Sequence, residues 1–416
     1  MNDNQEKAKF ITYAHSFQTV SRPGLERITH MLSLLGHPER TLSCIHIAGT
    51  NGKGSVTAFL DAILSTAGYR VGRYTSPNLV RVNERMKVAG KDIDDEEMQE
   101  LFSELASVAE ETERVRGGDK LTQFEIWTAA AFLWFSRKKC DYVVLETGMG
   151  GELDATNAIE SNVAAVLTRI DLDHTEYLGD TVREITRTKC GIFKKDSTLR
   201  AVFTVPQEDD SLAVIREQAS EKGLDAIVVS PLASEESNGL FETVNYRGKR
   251  ITLSLAGVHQ CENAALAVAV AEKMGVSEEA IIRGLSEARH PGRLELLQRE
   301  PLLLYDGAHN PNGVRALAKT LERAGISRLT VIFACMHDKD VRESLLLLRN
   351  FASRFIFTTV QNNPRAETPT GLQARAQALG IQGETAETLA EAIGMLDSEN
   401  ALICGSLYLY ADLPSR

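Results

Sequence analysis

The feature that most restricts the fold of this chain is a strand, a glycine-rich loop and a helix in immediate succession. Thr41 to Ala48 is an apolar run rich in β-formers. Gly49-Thr50-Asn51-Gly52-Lys53-Gly54-Ser55 follows, and Val56 to Ala67 then carries apolar residues at helical spacing. Gly68 supplies the left-handed stop that closes such a helix. The unit predicts a parallel sheet with helices on its faces, and the chain downstream repeats the alternation. Tyr69 to Tyr74 reads as the next strand, and Asp94 to Val108 and Phe124 to Trp134 as helices. Asp141 to Leu145 and Val163 to Leu167 are short continuous apolar runs, as expected of strands buried on both faces.

The pattern changes near Phe241 to Leu255, where Tyr246-Arg247-Gly248-Lys249-Arg250 separates two alternating segments and predicts a β-hairpin. Helices are expected over Cys261 to Met274 and Ser277 to Glu287. His290-Pro291-Gly292-Arg293 then breaks the chain, and the alternation restarts. Its strands are expected at Leu302 to Tyr305, Leu329 to Ala334, Phe355 to Thr359 and Ala401 to Cys404. The 416 residues suit two or three domains, at roughly 100–200 residues each. The expected division is 1–291 and 292–416, the second a smaller α/β domain.

The net charge of −11 argues against general nucleic-acid binding, which needs clustered Lys and Arg, and against a polybasic membrane contact. The six cysteines are scattered without a CxxC pair, so reduced, mostly buried thiols are expected rather than disulfides or a zinc site. The start, Met1 to Glu6, is polar and lacks a signal-peptide core. Apolar stretches such as Thr128 to Phe135 fall short of the ~20 residues that span a bilayer. A cytoplasmic protein that acts as a monomer is expected.

The glycine loop carries its own chemistry. Its glycines let successive backbone N–H groups point inward at phosphate oxygens, and the following helix adds its positive end. Lys53 can reach the β- and γ-phosphates of a nucleotide, and the Ser55 hydroxyl a phosphate or a metal-bound water. The common pattern is GxxxxGK[ST]; here Gly54 stands where Ser or Thr follows the lysine.

The variant GTNGKGS resembles that of the Mur ligase superfamily. The chain from Gly24 to Leu409 is similar to one branch, folylpolyglutamate synthase and the bifunctional dihydrofolate synthase. The resemblance rests on Gly24-Leu25-Glu26-Arg27-Ile28, Thr75-Ser76-Pro77-Asn78-Leu79, Asn83-Glu84-Arg85 and Leu121-Thr122-Gln123-Phe124-Glu125. It continues through Glu146-Thr147-Gly148-Met149-Gly150-Gly151-Glu152-Leu153-Asp154-Ala155-Thr156-Asn157, Asp173-His174 and Thr188-Lys189-Cys190-Gly191. His259-Gln260-Cys261-Glu262-Asn263, Pro291-Gly292-Arg293-Leu294-Glu295, Asp306-Gly307-Ala308-His309-Asn310-Pro311 and Cys404-Gly405-Ser406-Leu407-Tyr408 complete it. Each motif is weak alone; their order along the chain is specific.

The resemblance implies a P-loop central domain with a mainly parallel sheet and a small β element, followed by a Rossmann-like α/β domain. It implies joining a carboxylate to L-glutamate with ATP, on dihydropteroate, on folates or on both, by way of an acyl phosphate. Asn51, Gly52, Lys53, Gly54, Ser55, Asn263, Arg293 and Asp306 would hold ATP. Ser76, Glu146 and His174 would contact Mg²⁺, at two sites in all, with a monovalent cation such as K⁺ as a further cofactor. Arg22, Pro23, Gly24, Thr122, Gln123, Phe124, Glu125 and Leu153 would meet the pterin substrate, and His309 and Ser406 the incoming glutamate. Lys189 matches a lysine that many Mur ligases carry as a carbamate, and joins Lys53, Glu146 and His174 in the catalytic set.

The residues read by themselves leave alternatives. Glu146 ends a buried strand, where ligands bind in open α/β sheets, and equally suits a structural ion pair there. His174 suits a general base or a buried structural histidine. Lys189 also reads as an ordinary surface lysine, Phe124 as a core residue, Arg293 as a linker charge and Asp306 as a turn residue. A UDP-sugar-peptide ligase would carry a further N-terminal domain ahead of the loop. A nucleotide-binding regulator without catalysis would have lost Lys53, Glu146, His174 or Lys189.

Overall fold

The structure, a computed structural model, describes residues 22–337, 339 and 341–414. The polar start at Met1 to Glu6 lies outside them. The chain divides into two compact units. The first runs to Pro231 and takes in Glu262–Ala288; the second combines Leu232–Cys261 with the chain from Arg289 onward.

The first unit holds eight strands: β1 (Cys44–Ala48), β2 (Val71–Tyr74), β3 (Met86–Val88), β4 (Lys91–Asp92), β5 (Tyr142–Glu146), β6 (Ala164–Leu167), β7 (Ala201–Thr204) and β8 (Asp225–Val228). They form one sheet in the order β4-β3-β2-β5-β1-β6-β7-β8. From β2 through β8 every pairing is parallel; β3 and β4 add an antiparallel edge. β1 lies in the centre and is buried along its whole length, His46 included, as its mainly apolar run predicts. The helix after the loop spans Lys53–Thr66, and the expected helices appear as Asp95–Val115 and Gln123–Arg137. Two clusters of buried apolar side chains form separate cores in this unit. One gathers Phe102, Trp127, Phe132 and Phe135; the other gathers Leu167, Ile185, Phe193 and Val214.

The second unit has a six-stranded sheet of β12 (Glu295–Gln298), β13 (Leu303–Asp306), β14 (Leu329–Phe333), β15 (Ala352–Phe357), β16 (Glu384–Thr385) and β17 (Ala401–Cys404). Its order is β12-β13-β17-β14-β15-β16, parallel except for β12. The expected hairpin is part of a three-stranded antiparallel sheet, β9 (Ser234–Asn238), β10 (Phe241–Tyr246) and β11 (Lys249–Thr252).

The compact units do not follow a single cut at residue 291. The β9–β11 segment belongs with the second unit, because Leu240 and Ala256 are buried in one core with Leu294, Leu304, Val314 and Leu317. Among the described residues all six cysteines are free, five buried and Cys140 half-buried. No described helix is long and apolar enough to cross a membrane.

Candidate active site

β1 delivers the chain into the glycine loop at the C-terminal edge of the sheet, beside the ends of β5 and β6. The loop is fixed from the β6 side. Thr50 and Asn51 donate their N–H groups to the Arg169 carbonyl at 2.8 and 3.3 Å. The Thr50 hydroxyl donates to the Asp171 carbonyl and accepts from the Asp171 N–H, both at 3.0 Å. Two glycines are obligatory. A Cβ on Gly49, whose φ is +150°, would lie 1.9 Å from Thr168 Oγ1. One on Gly52, at φ +94°, would lie 2.4 Å from Asn263 Oδ1. No side chain caps the helix that begins at Lys53, so its positive end is left to the loop and what the loop binds. The Asn51 Nδ2 group is buried and unpaired there, a donor in want of an acceptor.

Two lysines converge on one atom of this loop. Lys53 Nζ donates to the Gly49 carbonyl at 3.1 Å and to that of Thr50 at 3.3 Å. Lys189 Nζ, carried by the helix Val182–Cys190, donates to the same Gly49 carbonyl at 2.9 Å. Lys189 is a buried residue, which removes the surface-lysine reading. Burial, reinforced by the charge of Lys53, lowers its pKa to about 7, against the opposing pull of Asp173 and Asp154.

The proposed metal contacts end neighbouring strands. Glu146 is the buried last residue of β5 and pairs in register with Ile47 of β1. Ser76 lies two residues beyond β2, whose Tyr74 pairs with Leu145. His174 follows β6 on a loop; its N–H donates to Asp173 Oδ1 at 3.0 Å. Its side chain is 46% exposed, which removes the buried-structural reading. Among the described residues no three of His, Cys, Asp or Glu gather into a self-sufficient metal site. The donor set fits a Mg²⁺ held mainly by ligand oxygens and water, with Glu146 and Ser76 as hard protein oxygens.

Two of the segments expected to meet a pterin, Arg22–Gly24 and Thr122–Glu125, are tied to each other. Thr122 and Glu125 form a capping box at the start of the helix Gln123–Arg137: Thr122 N and Oγ donate to Glu125 Oε2 at 2.7 and 2.8 Å. Arg27 donates to both Glu125 oxygens at 3.1 Å, and to the Arg22 carbonyl at 2.7 Å. Arg22 pairs with Asp119 at 2.8 Å, so the stretch Arg22–Gly24 is tied to the segment that leads into Thr122. Glu125 is thereby fully engaged within the protein. Gln123 and Phe124 are half-buried. Phe124 packs partly on the core, and a Cβ on Gly148 would lie 2.6 Å from its ring. Leu153 is 48% exposed.

Asp154, next to it, holds the loop after β5. It is buried, and burial raises its pKa against the hydrogen bonds it accepts. It accepts from Met149 N at 2.8 Å and from Thr156 N and Oγ at 3.0 and 2.5 Å. His46 Nε2 lies 2.8 Å from Thr156 Oγ. This network fixes the loop that follows Glu146. The Asp154 bonds are local, whereas the His46–Thr156 contact and the Arg27–Glu125 pair join residues 110 and 98 positions apart and are invisible in spacing.

In the second unit Asp306 ends β13, buried, and accepts from Leu294 N at 2.7 Å and Ala308 N at 2.8 Å. Burial raises its carboxyl pKa, against the nearby Arg293 charge and these two bonds. Asp306 is thus both a turn-holding residue and a partner of Arg293. Ser406 is buried just beyond β17, which pairs with β13 at Asp306–Cys404; its hydroxyl accepts from Tyr408 N at 3.2 Å. His309 is half-buried, with Nδ1 2.9 Å from the Gly307 carbonyl.

Residues 47–271 match the Mur ligase middle domain, and residues 292–406 the Mur ligase glutamate ligase domain. The dihydrofolate synthase/folylpolyglutamate synthase of Bacillus subtilis is 36% identical over 420 residues, covering 95% of each chain. The Escherichia coli protein of that name is 33% identical over 93% of this chain and 90% of its own. Among solved structures, Mycobacterium tuberculosis folylpolyglutamate synthase complexed with ADP and AMPPCP matches with a TM-score of 0.87 at 30% identity, over 98% of both chains. E. coli FolC in complex with DHPP and ADP matches at 0.83 and 30% identity, over 97% of this chain and 96% of its own.

Proposed function

This chain belongs to the Mur ligase family, in its dihydrofolate synthase/folylpolyglutamate synthase branch, and we propose that it joins L-glutamate to dihydropteroate and to reduced folates at the expense of ATP. The observation that carries the reading is the meeting of Lys53 and Lys189 at the Gly49 carbonyl, at the edge of the sheet where Glu146 also ends its strand.

A carboxylate does not react with an amine at neutral pH, because oxide is a poor leaving group. The substrate carboxylate takes the γ-phosphoryl group of ATP, releasing ADP. The amine of glutamate then attacks the acyl phosphate, loses a proton and expels phosphate, leaving an amide. Such chemistry asks the protein for alignment and charge stabilisation rather than for a nucleophile. The loop N–H groups and Lys53 hold the phosphates, and Asn263, beside Gly52, meets the adenine. Glu146, Ser76 and His174 would hold Mg²⁺, which would supply neutralisation of phosphate charge. Lys189, whose amine burial brings to about pKa 7, would add CO₂ with loss of a proton to give a carbamate, which would supply further hard oxygen ligands. By the family resemblance Arg293 and Asp306 are assigned to the nucleotide, and His309 and Ser406 to the glutamate.

The half-buried Phe124 offers a ring face suited to a flat heterocycle, and Arg22, Pro23, Gly24, Thr122, Gln123, Glu125 and the exposed Leu153 are assigned to the same substrate by the family resemblance. This favours use of dihydropteroate as well as folates. The protein is proposed to work as a cytoplasmic monomer, with K⁺ as an activating ion. The test is glutamate-dependent ADP release, with dihydropteroate and tetrahydrofolate supplied separately. Turnover with both supports the bifunctional reading; turnover with neither overturns the assignment.

A further inference from the structure

One residue outside the roles above ties together the parts that would hold ATP. Arg169 follows β6, and its carbonyl is the acceptor that fixes Thr50 and Asn51 of the phosphate loop. Its guanidinium reaches elsewhere: Nη2 donates to Glu262 Oε1 at 2.6 Å, and Nη1 to the Pro206 carbonyl at 2.8 Å. Glu262 lies in the first turn of the helix Gln260–Lys273, one residue before Asn263. Asn263 is the side chain that abuts Gly52 of the loop. The backbone on both sides of Arg169 is held by the buried Gln207, which donates to the Thr168 carbonyl at 2.8 Å and accepts from Ile170 N at 3.2 Å. The arginine therefore projects from a fixed base.

A partly exposed ion pair, here 37% and 27% exposed, is ordinarily a weak stabiliser. This one differs in what it spans. Its planar fork joins a helix carboxylate to a strand-end carbonyl, while its own backbone carries the loop. We propose that Arg169 and Glu262 form a positioning clasp that sets Asn263 against the phosphate loop, and so sets the affinity for ATP. Arg169 is a positioning residue, not a catalytic one. The inference rests on the reading that Asn263 meets the adenine.

The test compares Arg169→Met, Glu262→Gln and the exchange R169E/E262R with Asn263→Ala in the full chain. KM for ATP, KM for glutamate, kcat and the preference for ATP over GTP are measured in each. The expected result for each clasp single variant is a KM for ATP raised roughly threefold to tenfold, with kcat within about twofold of the parent, as befits a charge-assisted contact away from the reacting atoms. KM for glutamate stays unchanged, the preference over GTP falls, and the exchange recovers part of the loss. Arg169→Lys, which keeps the charge but not the fork, falls between parent and Arg169→Met. Glu262→Gln preserves shape and gives the reading should Arg169→Met fold poorly. If Asn263→Ala impairs ATP use while Glu262→Gln and a folded Arg169→Met do not, the clasp is overturned alone. If Asn263→Ala has no effect, the adenine reading fails and the clasp's proposed target fails with it.

Discussion

A buried lysine amine is unfavourable unless its charge or its neutral form serves some purpose, and Lys189 presents this case most sharply. Its pKa falls from 10.5 to about 7 in the folded protein. The folded state therefore binds fewer protons than the unfolded chain between about pH 7 and pH 10.5, and stability rises with pH across that window. Below pH 7 the full penalty applies, on the order of 5 kcal/mol for a shift of this size. Lys189→Met should thus be more stable than the parent at pH 6, the difference shrinking toward zero near pH 10.5. Denaturant unfolding at several pH values measures this; an equal gain at all pH values would contradict the burial account. The same variant should lose glutamate-dependent ADP release. Gly49→Ala tests the loop from the steric side. With Thr168 Oγ1 1.9 Å from the new Cβ, the loop must shift, and ATP turnover should drop by about 100-fold or more, the scale of a roughly 1 Å misplacement. Lys53 and Gly49 are legible from the sequence because a glycine-rich loop between strand and helix has a local mechanism. The burial of Lys189 is not, because its partner carbonyl lies far away in sequence, and residue spacing says nothing of that contact.

Between elements, legibility follows length and burial. β1, β5 and β6 are mainly apolar runs and are read correctly from them. β3, β4 and β16 are only two or three residues long, too short for a hydrophobic period to be detected. The helix Asp95–Val115 outruns its expected end at Val108, because its last turns bury only Ala109 and Thr112 among acidic residues. The capping box at Thr122 and Glu125 is written in the sequence, whereas the use of Glu125 by Arg27 of the helix Glu26–Leu34 is not. That pair is buried, with side chains 6% and 4% exposed. Removing one partner leaves a charge unpaired in the interior, a loss of about 3–5 kcal/mol. Arg27→Met should destabilise by that amount in denaturant unfolding, and the double variant R27M/E125Q should recover part of it. Because Arg27 also holds the Arg22 carbonyl, KM for the pteridine should rise in Arg27→Met while KM for ATP stays close to the parent. An unchanged pteridine KM would separate this pair from the substrate segment.

At the scale of the whole chain, the units are assembled from discontinuous pieces. The Pro291-Gly292 break is the clearest punctuation in the sequence, yet the chain passes between units at 231–232, 261–262 and 288–289. Turn residues report where the backbone bends and carry no information about which core a hairpin will cover. The β9–β11 segment is joined to the second unit by more than apolar burial. Glu242, 1% exposed at its side chain, pairs with Arg323 at 3.1 Å, and Val258 N donates to Thr320 Oγ1 at 3.4 Å. A fragment of residues 289–416 would uncover the core beside Leu294 and leave Arg323 without its carboxylate. Losing the burial of Leu240 and Ala256 alone costs about 2–3 kcal/mol. A fragment that also carries Leu232–Cys261, joined ahead of Arg289 by a short Gly/Ser linker, restores both. It should unfold cooperatively with a midpoint at least about 5 °C above that of the bare fragment in calorimetry. Equal midpoints would mean that the β9–β11 segment is a passenger on this unit rather than part of its core.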